Sequence, residues 1–211
     1  MNRQVPDLAR AMADAIAIPL GYASQGRNLA WAAMAGATEL RPLVHHPRKD
    51  VVDPQTGCRF FYHGHDVNRA PASWHGHFHL FIPHPRGHGV SHLGGLALDA
   101  QGLPQHWFST NQWVTGEHWA SARQLINRLK DFEVSARGRL APVARWLSAF
   151  VALEHATLEL LLNERDTRLA RLSLERPRRE VWADRRHHIL SRRPVAWLRS
   201  VQAPPLSLST H

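Results

Sequence analysis

Apolar and polar positions divide the chain into three textures. Residues Asp7 to Ile18 carry Ala, Ile and Leu between spaced polar positions and stop at Pro19-Leu20-Gly21, the pattern of a helix with a terminator. A second helical run covers Gly26 to Leu40, and Pro42 ends it. Val44 to Pro54 holds too much proline for regular structure and reads as an ordered loop. From Gly57 the apolar period shortens to two. Four short runs, Cys58 to His65, His75 to Ile82, His92 to Asp99 and Gln105 to Val114, alternate with turn signals. Ala100-Gln101-Gly102-Leu103-Pro104 joins the last two as a hairpin loop in which glycine supplies a positive φ. Successive hairpins predict an antiparallel sheet of about four strands.

Beyond the sheet the period lengthens again. Thr115 stands as an N-cap before Trp119, Ala122, Leu125, Ile126, Leu129 and Phe132 at helical spacing. Pro142 to about Asn163 reads as one long apolar helix, and Arg145, Glu154, His155 and Glu159 within it argue against a membrane span. Glu164 to Gln202 alternates Arg with Leu, Trp and Val and predicts one or two more helices, broken at Pro177. The expected architecture is a single α+β domain over 1–202. It comprises a helical segment 1–56, a His-rich sheet and helix 57–133, and a helical segment 134–202, with a flexible tail 203–211.

Composition narrows the function classes. One cysteine, Cys58, excludes an internal disulfide and any multi-cysteine metal knuckle held by this chain alone, so a metal would rest on His and carboxylate. Asp7, Asp14 and Pro19 interrupt what a signal peptide would need as an apolar core, which predicts a cytoplasmic protein without a membrane partner. The formal charge is +9, and the excess lies in the C-terminal third. Such a balance raises nucleic acid as a partner. However, 24 of the 26 basic residues are Arg, interleaved with apolar anchors, which favours a solvated basic helical surface over a dedicated nucleic-acid site.

Candidate chemistry concentrates in histidine. Twelve of the 16 histidines fall between residues 45 and 118. His63 and His65 alternate in one expected strand and His75, His77 and His79 in the next, so each set projects from a single face. If His65 faces His75, then His63 faces His77, and an ion between the strands can take ligands from both. His63, His65, His75 and His77 form the expected metal set. His79 joins them at the far end of a stretch too long for one ion to take all three of its histidines on a flat strand. Neutral nitrogen ligands suit a transition metal such as zinc or iron, with Asp66, Asp99 and Glu117 the nearest carboxylates. His84, His88, His106 and His118 read as ordinary surface or hydrogen-bonded imidazoles.

Other signatures are missing. The chain has no glycine-rich phosphate loop, no Gly-x-Ser-x-Gly elbow and no His-Glu-x-x-His helix, and nothing in it indicates an organic cofactor. Glu154 and His155 read as a satisfied buried polar pair, and Trp107, Trp113 and Trp119 as core packing. Asn111 and Gln112 close the fourth run as candidate contacts to an unidentified small molecule.

The order of segments is familiar. His46-Pro47, Asp50-Val51, Asp53, Gly57 and Phe61 to His65, then His75 to Phe81, Leu98-Asp99, Gly102 to Pro104 and Thr110 to Glu117, together resemble an uncharacterised bacterial domain-of-unknown-function family over about residues 40–132. That resemblance groups the segments in one domain and implies no reaction. A second, motif-only resemblance is to the histidine-triad nucleotide hydrolases, carried by His75, His77, Phe78, His79, Leu80 and Phe81, with Gly76 standing where that motif has an apolar residue. It implies His77 as nucleophile on a phosphate, with His75 and His79 as ring-orienting or acid partners. Three readings follow: a metal site that is structural or enzymatic, a metal-free nucleotide hydrolase, and a metal-free structural or ligand-binding domain.

Overall fold

A computed structural model describes residues 7–64 and 74–196. At its centre is a six-stranded antiparallel meander in which every strand lies beside its neighbours in sequence. The strands are β1 (His46–Val52), β2 (Arg59–His63), β3 (Gly76–Pro83), β4 (Val90–Leu98), β5 (Pro104–Thr110) and β6 (Ile189–Pro194). Helices α1 (Leu8–Ala23) and α2 (Leu29–Ala33) precede the sheet. Between β5 and β6 come α3 (Gln112–Thr115), α4 (Ala122–Ile126), α5 (Ala141–Leu153), α6 (His155–Leu172) and α7 (Arg178–Ala183). The class is α+β with one core, but the sheet has six strands where about four were expected.

The two extra strands are the two edges, and each corrects a flank expected to be helical or loop. β1 occupies the proline-bearing stretch read as a loop. As an edge strand it can carry Pro47, because a missing N–H is tolerated there, and its register breaks between His46 and Val51. β6 lies inside the arginine-rich segment read as helix. Its Ser191 hydroxyl sits 2.6 Å from that of Ser109 on β5 and donates to the Leu161 carbonyl at 2.8 Å, which ties the strand to both the sheet and α6. Four helix boundaries also move. α1 runs through Pro19 to Ala23, past the expected stop, and the run expected over Gly26 to Leu40 is helical only over Leu29–Ala33. Thr115 ends a short helix, with Gly116 left-handed at its C-cap, and Ser121 with Gln124 forms the capping box that opens the next. The long apolar helix is two helices separated at Glu154, whose buried carboxylate accepts from the backbone N–H of Ala196 at 3.2 Å.

One sheet face is apolar and carries the helices. Phe60, Tyr62, Phe78, Leu80, Leu96, Leu98 and Trp107 pack there with Trp146 and Phe150 of α5 and Leu158 and Leu161 of α6. The Trp146 and Phe150 rings stack at 4.7 Å, and Phe150 stacks on Trp107 at 6.0 Å. Such burial contributes roughly 1.5–3 kcal/mol for each large side chain, which fixes the strands against the helices. The hairpin after β4 is built as expected. Asp99 accepts from the N–H groups of Gln101 and Leu103 at 3.0 and 2.8 Å, and Gly102 adopts φ +77°.

Gly76 lies tightly against Tyr62 and the His63 carbonyl of β2. A Cβ at this position would lie 2.6 Å from the Tyr62 hydroxyl and 2.8 Å from the His63 carbonyl oxygen. Gly76→Ala is therefore expected to cost about 1–3 kcal/mol in urea unfolding. Gly21→Ala, in open space on α1, should be neutral or stabilising by about 0.5–1 kcal/mol. Equal stabilities for the two variants would refute this close approach.

Candidate metal centre

Strand alternation puts Phe61, His63, His77, His79 and Phe81 on the sheet face opposite the helices. Both faces of β3 are nonetheless buried. The register pairs His63 with His77 and Phe61 with His79 across β2 and β3. His63 and His77 meet edge to face, with ring centroids at 4.4 Å and their Nε2 atoms 2.7 Å apart. His79 lies 4.9 Å from His77 and 5.1 Å from His63, centroid to centroid. All three rings are buried, and one nitrogen from each lies within 4.8 Å of the others.

A fourth histidine, His92 of β4, orients this group. Its Nε2 is 2.9 Å from His79 Nδ1, and its Nδ1 is 3.2 Å from the Thr110 hydroxyl on β5. Burial, with Arg165 as a nearby positive charge, lowers its pKa from 6.5 to about 3, so it is neutral near pH 7. A neutral His92 that donates from Nδ1 to Thr110 must accept at Nε2 from His79 Nδ1–H. In that tautomer His79 presents a lone pair at Nε2.

Aromatic rings surround the histidines. His45 stacks on Phe61 at 3.7 Å and meets the His63 ring at 5.7 Å. Phe108 of β5 lies 5.1 Å from His77 and 5.7 Å from His79. Trp74 stacks on Phe108 at 5.7 Å, and the Arg192 guanidinium lies 5.0 Å from the Trp74 centroid.

Three of the five expected ligands, His63, His77 and His79, thus come together. His75 does not join them. It precedes β3, and its Nδ1 bonds the hydroxyl of Tyr62, a side chain of the helix-facing side, at 2.8 Å. His65 and Asp66 lie outside the described residues. The other named carboxylates are used elsewhere: Asp99 holds the hairpin, and Glu117 accepts a hydrogen bond from Thr115 while burial raises its pKa. Asn111 caps α3 and donates to the Val181 carbonyl at 2.7 Å, and Gln112 donates to the Glu117 carbonyl at 3.0 Å, so both close loops. Glu154 accepts from the Ala196 N–H.

His92 was missed for a specific reason. Leu80 pairs with Gly94 but Phe81 with His92, so β4 carries one extra residue at that point. Without this bulge His92 would oppose Ile82 and point toward the helices. The adjacent glycines Gly94 and Gly95 were the available signal, since paired glycines inside a strand mark bulges.

The sheet, its flanking helices and this buried histidine group define an α+β domain of one architecture. The chain belongs to the family described as Domain of unknown function (DUF6969), which it matches over residues 9–195. No curated protein and no solved structure matches the chain.

The neutral state of His92 predicts a pH dependence. Its folded pKa lies below its unfolded value, so the unfolded chain binds more protons between about pH 3 and 6.5, and stability falls on acidification through that window. In metal-free protein the contribution is about 1.4 kcal/mol per pH unit for one such group. His46, His75 and His188, also lowered by burial, add to it. Urea midpoints measured from pH 7 to 4 should fall steeply, and less steeply in His92→Gln. An identical slope in the variant would contradict a buried neutral His92.

Proposed function

We propose that the protein binds one transition-metal ion, zinc or iron, through His63, His77 and His79, and presents it to a small-molecule substrate. One observation carries this reading: three buried imidazoles on adjacent strands with a nitrogen apiece inside a 4.8 Å group. Metal–nitrogen bonds of about 2.0–2.1 Å place tetrahedral donors about 3.3 Å apart. The His63 and His77 Nε2 atoms, at 2.7 Å, need to part by only a fraction of an ångström. The ring that donates in that pair moves its proton to its other nitrogen as both become ligands.

Three neutral histidines leave the ion its full charge and a coordination position for water or substrate, the arrangement of catalytic and not of closed structural sites. Held in a buried aromatic surround, the ion acts as the Lewis acid of a hydrolytic or oxidative reaction. His92 and Thr110 act at one remove, fixing the His79 tautomer. This chain's residues specify the site and leave the substrate open.

Elemental analysis of protein purified without an affinity tag tests the reading. About one ion per chain is expected, and His63→Ala, His77→Ala and His79→Ala, each checked for folding by circular dichroism, should lose it. His75→Ala should keep it, and His65→Ala separates three ligands from four. His92→Ala should bind the same number of ions with about 10–100-fold lower affinity. Unchanged metal content in the three ligand variants refutes the site. Metal-independent hydrolysis of a nucleoside phosphoramidate, abolished in His77→Ala, would replace this reading by a histidine-triad hydrolase.

A further inference from the structure

The N-terminal helix carries a surface that the other described residues leave uncovered. α1 buries Ala11, Ala15 and Ile18 and is pinned to α5 by Asp14, whose carboxylate lies 3.1 Å from Arg145. On its outer side Leu8, Met12, Ile16 and Leu20 recur every four residues and are 45–63 % exposed. Beside that row runs a second with the same spacing, Ala9, Ala13, Ala17 and Gly21, also exposed. Arg10 is the one charged residue on the exposed face of this helix. A solvated helix face is ordinarily polar, and a continuous apolar stripe of this length marks a contact surface.

We propose that α1 is the interface of a homodimer in which it packs antiparallel against α1 of a second copy. The two rows make the face complementary to itself. Large side chains form a ridge, and the alanine and glycine row beside it forms a groove, so a two-fold axis near residue 14 sets each ridge in the partner's groove. Leu8 then meets Gly21 of the other copy, Met12 meets Ala17, Ile16 meets Ala13 and Leu20 meets Ala9.

Charge selects the direction. A parallel pair would place Arg10 against Arg10. In the antiparallel pair the two Arg10 side chains lie apart, each leaning toward its own helix N-terminus and so toward the C-terminal end of the opposing helix, where the helix dipole is negative. The face exposes on the order of 500 Å² per copy, toward the low end of specific interfaces, so a dimer of micromolar strength is expected and not an obligate one.

Sedimentation velocity on the full chain, from about 1 to 200 µM, tests the proposal. Twice the 23.9 kDa chain mass is expected at the upper end. Met12→Glu and Ile16→Glu, at exposed positions where folding is retained, should remain monomeric throughout. Arg10→Glu should weaken association about 10-fold. Ala13→Cys should cross-link two chains on mild oxidation, because the native Cys58 is buried and does not compete. A monomer at every concentration overturns the proposal. So does a dimer indifferent to Met12→Glu and Ile16→Glu, or a monomer whose α1 face instead binds neutral lipid vesicles.

Discussion

The pairing of His63 with His77 across β2 and β3 is the constraint on which the site and the sheet both turn. Strand side chains alternate, so the register that sets these two rings together also sends Phe60, Tyr62, Phe78 and Leu80 into the helix layer. A slip by one residue would bury the imidazoles among Trp146, Phe150 and Leu158 and turn the aromatic core outward. The apolar face therefore enforces the polar one. The free energy that holds His63 against His77 comes mainly from large side chains on the other side of the strand.

Burying four imidazoles together has a cost that the arrangement must offset. An unpaired buried polar group costs about 1–3 kcal/mol, more than an ordinary hydrogen bond returns. His63 and His77 answer each other, and His79, His92 and Thr110 form a chain. An apolar cluster of the same volume would be the simpler core. The histidines are held on paired strands with each ring bonded to a neighbour, which is the condition for a preorganised site.

Much of this was legible in the residues. Period-two alternation located the four inner strands, and the two-residue spacing of His63 with His65 and of His75, His77 and His79 pointed to the face on which His63, His77 and His79 cluster, because both follow from local chain geometry. What could not be read was whatever depends on contacts distant in sequence. β1 is a strand because β2 offers it an edge. β6 is a strand because β5 and α6 hold it, although its Arg and Leu residues fit a helix as well. His75 shares the spacing of His77 and His79 but lies outside the strand, where the Tyr62 hydroxyl takes it. His92 lacks the spacing and enters through a bulge.

The helix layer also acts on the histidine face through charge. Arg165 of α6 is buried, with its guanidinium 4.3 Å from the Trp119 ring centroid, paired with Asp166 at 2.7 Å and donating to the Ala120 carbonyl. Its positive field, added to burial, holds His92 neutral. A protonated His92 would donate from both nitrogens and could not accept from His79, which would then turn a proton, and not a lone pair, toward His63 and His77. The arginine-rich segment thus reaches toward the histidine face: one of its arginines, interior and paired, adds to the burial that keeps neutral the ring beside His79.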